Sequence, residues 1–297
     1  MIVLLLGGCT SLPIGTPVPV AGYGARHCPQ SPNPAEYRLS DSVALPDAVA
    51  FTRSLALGEW SGWGGQIVDY RQVDGARSGA VRELVREAGQ PAGQDLVLPA
   101  IVALGCWEND PRMFHRLRAY WRGVPRERPS DDLLDSAVAL TVARPGSWAE
   151  AWSAAFVSYV LRGSTERYPA MGRFSPSENH AGYVAAALAD DSHRYTARPP
   201  ASFVPRVGDL VCSYRNQPPR HAWRPDSAGW RLGTAHCDIV VAAEQTGGAG
   251  RIFVVGGNIF QSVTLSVHAT DGQGRLVDSR FRNWAIVLAD RANPEGL

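Results

Sequence analysis

Ala151-Trp152-Ser153-Ala154-Ala155-Phe156-Val157-Ser158-Tyr159-Val160 sets Trp152, Ala155, Phe156, Tyr159 and Val160 at helical spacing, so this stretch reads as a helix with one apolar stripe against a core. Ser153 lies off the stripe, near the start of the helix. A hydroxyl held on a packed helix becomes a nucleophile only when a base can reach it. The candidate base is His236, in Ala235-His236-Cys237-Asp238-Ile239-Val240-Val241, which reads as a strand. Alternate side chains of a strand share a face, so His236 and Asp238 point one way and Cys237 the other. Cys237 is then a poor nucleophile, and a Ser153-His236 pair, with Asp238 on the same face as the histidine, is the expected site.

Outward from the helix, Ser147-Trp148-Ala149-Glu150 has the form of a capping box, which would place Ser153 in the second helical turn. Gly163, after Arg162, reads as the stop. From Asp47 to Trp121 the patterns are mostly helical, broken at Gly62-Trp63-Gly64-Gly65 and at Gly89-Gln90-Pro91-Ala92-Gly93. Glu59, Trp60, Trp63, Trp107 and Trp121 fit either a core or a substrate groove. Glu59, Trp152 and His180 are the expected substrate contacts.

Downstream, Ser175-Pro176-Ser177-Glu178-Asn179-His180 precedes a helix over Ala181 to Ala189, closed by Pro199-Pro200. The period then changes to strands: Gly208 to Ser213, His236 to Ala243, Arg251 to Val255, Ser262 to Val267 and Trp284 to Ala289. Short connections imply antiparallel pairing. The expectation is an α+β domain, N-terminal helices packed on an antiparallel sheet.

The chain has 297 residues, is 45% hydrophobic and carries a formal charge of +1, with all 29 basic residues arginine. That is enough apolar material for a core, and the scattered charge gives no electrostatic case for nucleic acid. Without lysine there is no P-loop; a His-Glu-x-x-His helix and a Gly-x-Ser-x-Gly elbow are also missing. His180, His236 and Asp238 lack close metal-ligand spacing, so no metal and no cofactor are expected. His221 carries no signal, and Asp209 reads as a turn residue.

Met1-Ile2-Val3-Leu4-Leu5-Leu6-Gly7-Gly8-Cys9 is apolar and ends in a stretch that resembles a bacterial lipobox. The expected division is a signal remnant over 1–9 with Cys9 lipidated, a Pro- and Gly-rich tether over 10–40, and a single domain over 41–292. With Thr10 after the cysteine, the implied place is the outer membrane, facing the periplasm, held through the N-terminal lipid. Cys28, Cys106, Cys212 and Cys237 remain. Four cysteines allow three connectivities, and Cys212 with Cys237 is the preferred pair because both lie in adjacent expected strands.

Ser153-Ala154-Ala155-Phe156-Val157-Ser158-Tyr159-Val160 resembles the nucleophile helix of papain-like cell-wall amidases and peptidases, the NlpC-like and CHAP groups, in which a cysteine occupies the Ser153 position. Val207-Gly208-Asp209-Leu210-Val211 resembles their Gly-Asp-Leu strand, and His236 to Val241 the strand that opens with the catalytic histidine. Val255-Gly256-Gly257-Asn258 is similar to the segment that in CHAP members supplies a polar residue to that histidine. The same set, from about Glu59 to Leu288, resembles the bacterial envelope family called domain of unknown function 2272.

The resemblance implies a papain-like fold and hydrolysis of amide bonds in peptidoglycan or its peptides by Ser153, His236 and Asn258. A serine must lose its proton to a base during attack, whereas a thiolate is partly populated beforehand. Two alternatives follow from that exchange: a non-catalytic module that binds peptidoglycan or a protein partner, and a serine esterase or acyltransferase. Oligomeric state is not legible.

Overall fold

The structure, a computed structural model, describes residues 34–39, 44–73, 98–108, 110–124, 151–215, 223, 225, 232–246 and 248–293. Four α-helices are described: α1 (Asp47–Gly62), α2 (Phe114–Arg122), α3 (Ser153–Arg167) and α4 (His180–Ala189). Eight strands accompany them: β1 (Gln66–Val73), β2 (Pro99–Ala103), β3 (Tyr195–Arg198), β4 (Leu210–Tyr214), β5 (Ala235–Thr246), β6 (Ala249–Ile259), β7 (Ser262–Thr270) and β8 (Asn283–Asp290). They form one sheet in the order β2-β1-β7-β6-β5-β4-β8-β3. The architecture is α+β, with helices packed on a multi-stranded sheet.

Two expectations are corrected. The stretch from Asp47 to Trp121 is not mostly helical, since β1 and β2 lie inside it. Nor is the sheet wholly antiparallel: β1 pairs with β7 in parallel, Gln66 opposite Thr264 through Asp69 opposite Val267. The physical reason is long-range pairing. Gln66–Val73 is stabilised by strands remote in sequence, including one almost two hundred positions away, which local periodicity cannot report. The chain is also anchored ahead of Asp41, because the short turn Ala35–Tyr37 buries Tyr37 and its hydroxyl donates to Asp69 Oδ2 at 3.0 Å.

α1 opens after Pro46 with Asp47 in its first turn, where a carboxylate favours the positive end of the helix, and it ends at Trp63 and Gly64, whose φ is +83°. It buries Ala48, Val49, Thr52 and Ala56. α3 packs on α1, β5 and β6. Arg194, fully buried, joins these layers: its guanidinium grips Asp290 of β8 at 3.0 and 2.6 Å and donates to Ser164 of α3 and Thr52 of α1.

The sheet is curled. Trp284 of β8 meets His268 of β7 edge to face with ring centroids 5.0 Å apart, although β6, β5 and β4 lie between those strands in the hydrogen-bonded order. A flat sheet would set strands four places apart at roughly 19 Å. One face carries the main core with the helices, including Ile67, Leu210, Ile239, Phe253 and Leu265. The concave face carries a smaller core of Val211, Val240, Ile252, Val254, Trp284 and Val287. Toward the His236 end this face turns polar.

Candidate active site

Ser153 is the first residue of α3, with Trp152 as its N-cap. The expected second-turn position is therefore replaced by the first turn, where the unpaired backbone N–H groups and the helix dipole act most strongly. Ser147 to Glu150, the expected capping box, lies outside the described residues. What fixes the helix start is packing. Trp152 stacks with Trp63 and Tyr120 at centroid distances of 5.0 and 5.7 Å, and its indole N–H donates to Glu108 at 2.6 Å.

Glu59 supports that stack from behind, holding the Tyr120 hydroxyl and accepting from Arg116 at 2.7 Å. Its contacts lie with the aromatic stack and not with Ser153. Trp152 is likewise wholly buried, as a wall rather than an open subsite.

Gly256 and Gly257 serve opposite faces of β6. A Cβ on Gly257 would fall 2.6 Å from the Phe156 Cβ and 2.8 Å from the Trp152 ring, so its absence lets α3 sit close on the sheet. A Cβ on Gly256 would fall 1.7 Å from Asp238 Oδ1, so its absence makes room for that carboxylate. Asn258 follows with φ +56°, a turn conformation an asparagine tolerates, and no hydrogen bond joins it to His236. The imidazole-fixing role expected of Asn258 falls to Asp238.

The hydrogen-bond partner of Ser153 is His180 rather than the expected His236: Ser153 Oγ lies 2.7 Å from His180 Nε2. His180 opens α4, which Asn179 caps by accepting from the Gly182 N–H at 2.8 Å. The preceding loop is tied to α3 through Ser158, whose hydroxyl donates to the Ser177 carbonyl at 2.8 Å and accepts from the Ser177 N–H at 2.9 Å. The loop that delivers His180 is thus fastened to the helix that carries Ser153. His180 Nδ1 in turn meets the Tyr183 hydroxyl.

His236 stands beside this pair, its ring 5.2 Å from that of His180, with both nitrogens occupied. Its Nδ1 faces an Arg215 guanidinium nitrogen at 3.2 Å, and its Nε2 faces Asp238 Oδ1 at 2.8 Å. A guanidinium only donates and an ionised carboxylate only accepts, so His236 is the neutral Nε2–H tautomer with Nδ1 accepting. It has no lone pair left for Ser153. Arg215 bridges the two, since the same nitrogen donates to Ser153 Oγ at 3.3 Å.

Burial pushes His180 well below the ordinary histidine range, reinforced by the positive charges of Arg215 and Arg282. Burial also lowers His236, against the partial support of Asp238. For Asp238 burial acts upward but is outweighed by the His236 N–H and by Arg282, so its carboxyl is held below the usual range. At neutral pH the site holds two neutral imidazoles, one carboxylate and a guanidinium. Cys212 and Cys237, facing each other in β4 and β5, are disulfide-bonded and take no part in this cluster. Cys9 lies outside the described residues. Among the described residues no group of three or more His, Cys, Asp or Glu is arranged to hold a metal ion.

Two members of the cluster were not singled out in the sequence. Tyr183 stands three residues after His180 on one helix, a spacing that puts both on one face, so that signal was present. Arg215 follows β4 with nothing local to mark it.

No curated protein and no solved structure matches the chain. A family model described as "Uncharacterized protein conserved in bacteria (DUF2272)" matches residues 108–289, which takes in Ser153, His180, Tyr183, Arg215, His236 and Asp238. With that match covering more than half of its length, the chain belongs to the DUF2272 family.

Proposed function

We propose that this domain is a serine-dependent acyl-transfer enzyme of the cell envelope that hydrolyses amide bonds in peptidoglycan peptides, with Ser153 as nucleophile and His180 as general base. The observation that carries the reading is the 2.7 Å contact between Ser153 Oγ and His180 Nε2 at the first turn of α3. In the attacking step a bond forms between Ser153 Oγ and the carbonyl carbon while the hydroxyl proton passes to His180 Nε2. Arg215, beside Oγ, stabilises the negative charge on the carbonyl oxygen. The carbon–nitrogen bond then breaks, His180 returns the proton to the leaving amine, and water releases the acyl group. The papain-like arrangement, the periplasmic outer-membrane location and the lipid on Cys9 belong to this proposal and rest on the sequence resemblances.

One observation favours a second reading, a non-catalytic module binding peptidoglycan. Ser153 is only 2% exposed, and Arg215 lies across its hydroxyl. A fluorophosphonate probe on the full chain, read by mass spectrometry, separates the two. The hydrolase reading expects adduct at Ser153, none in Ser153→Ala, and labelling slowed by roughly 10²- to 10⁴-fold in His180→Gln. Absence of adduct, together with no muropeptide release by the wild-type chain, would leave the binding module.

A further inference from the structure

Ser153, His180 and Tyr183 form a chain of two links whose partners are complete among the described residues. The Tyr183 hydroxyl meets His180 Nδ1 and nothing else; His180 Nε2 meets Ser153 Oγ; and Oγ has Arg215 as its other partner. A neutral imidazole carries one hydrogen, and burial keeps His180 neutral. The three groups therefore hold three hydrogens for two links, and one hydroxyl hydrogen is left over at one end. If it is left on Tyr183, the chain runs from Ser153 through His180 and the hydroxyl faces a lone pair. If it is left on Ser153, the chain runs from Tyr183 and the serine oxygen faces an N–H.

Two physical arguments choose between the directions. A phenol is intrinsically a better hydrogen donor than an aliphatic hydroxyl, and burial, which pushes Tyr183 well above the ordinary phenol range, keeps its proton on the oxygen, where it takes the imidazole lone pair. The leftover hydrogen also costs less on Ser153, which keeps 2% exposure beside the part-buried Arg215, than on Tyr183, which keeps none.

We infer that Tyr183 is the positioning residue that sets the tautomer of His180, and that at rest it holds the imidazole with Nε2–H turned toward Ser153. The serine is then unprimed in the resting protein, and attack proceeds from the reversed chain, with the imidazole hydrogen on Nδ1. The inference rests on the proposed roles of Ser153 and His180.

Tyr183→Phe distinguishes this role from a merely structural one. Without the phenol, keeping the hydrogen on Nε2 leaves both the Nδ1 lone pair and the serine hydrogen unmet, whereas moving it to Nδ1 leaves only that hydrogen unmet. The variant is therefore expected to prime the serine, not to disable it.

The test is two-bond nitrogen–proton correlation on the full chain carrying nitrogen-15 histidine, with the His180 signal assigned by its loss in His180→Gln. The expected result is hydrogen on Nε2 in the wild type and on Nδ1 in Tyr183→Phe, with fluorophosphonate labelling of Ser153 roughly three- to tenfold faster, the scale of one net hydrogen bond. Hydrogen on Nδ1 in the wild type overturns the inference without recourse to any variant. An unchanged tautomer, or slower labelling, in a folded Tyr183→Phe overturns it as well. The expected tautomers with no labelling in either protein would support this inference and refute the nucleophile reading above.

Discussion

At the scale of single residues, the site depends on one side chain that is missing. Gly256 lies beneath Asp238, and a methyl group there would overlap the carboxylate that fixes His236. Gly256→Ala is expected to cost about 1–3 kcal/mol, the usual toll of overpacking, measured as a lower urea midpoint. Wild-type stability would mean that Asp238 has room to move and does not fix His236. The sequence showed His236 and Asp238 sharing a face, because strand alternation is geometric and local. It did not show which histidine serves Ser153. That turns on what each imidazole's other partner allows: Arg215 and Asp238 lock His236 in one tautomer, whereas the Tyr183 phenol can donate to or accept from His180 Nδ1 and so leaves Nε2 free to serve Ser153 in either sense.

At the scale of elements, β4 and β5 are pinned together at the place where the site needs them. The Cys212–Cys237 bridge joins directly opposed residues, and the neighbouring pair is Ser213 with His236. Replacing both cysteines by serine is expected to remove about 2–4 kcal/mol, since the bridge closes a loop with a sequence separation of 25. Urea unfolding of the double variant is the measurement, and no change in midpoint would show that the strand pairing alone holds this edge. Five of the eight strands, β4 to β8, were legible because each carries its own run of β-branched and apolar residues. β1, β2 and the four-residue β3 were not: β1 pairs with β2 and with the remote β7, β3 pairs with the remote β8, and no window of neighbouring residues contains that information.

At the scale of the whole molecule, burial of imidazoles sets the response to acid. His180, His193 and His236 are lowered, and His268 is lowered to about 3, chiefly because each is removed from water. Between the unfolded histidine value of about 6.5 and the lower folded values, the unfolded chain binds protons that the folded chain does not, so stability falls as pH drops. Asp209 works the other way. Burial raises it to about 7, so from there down to the ordinary aspartate range the folded chain holds a proton that the unfolded one lacks. Each group contributes at most about 1.4 kcal/mol per pH unit, and four histidines oppose one aspartate. The melting temperature is expected to fall between pH 7 and pH 5; a flat or rising profile would show that these imidazoles reach water.

The parallel pairing of β1 with β7 also bears on synthesis. Gln66 leaves the ribosome long before Thr264, the residue it must lie beside. At common translation rates of about 5–20 residues per second, that interval is on the order of 10–40 seconds. For that time the early strand has no neighbour on the β7 side, so the nascent polypeptide presents a bare backbone edge to whatever helper or wrong partner it meets.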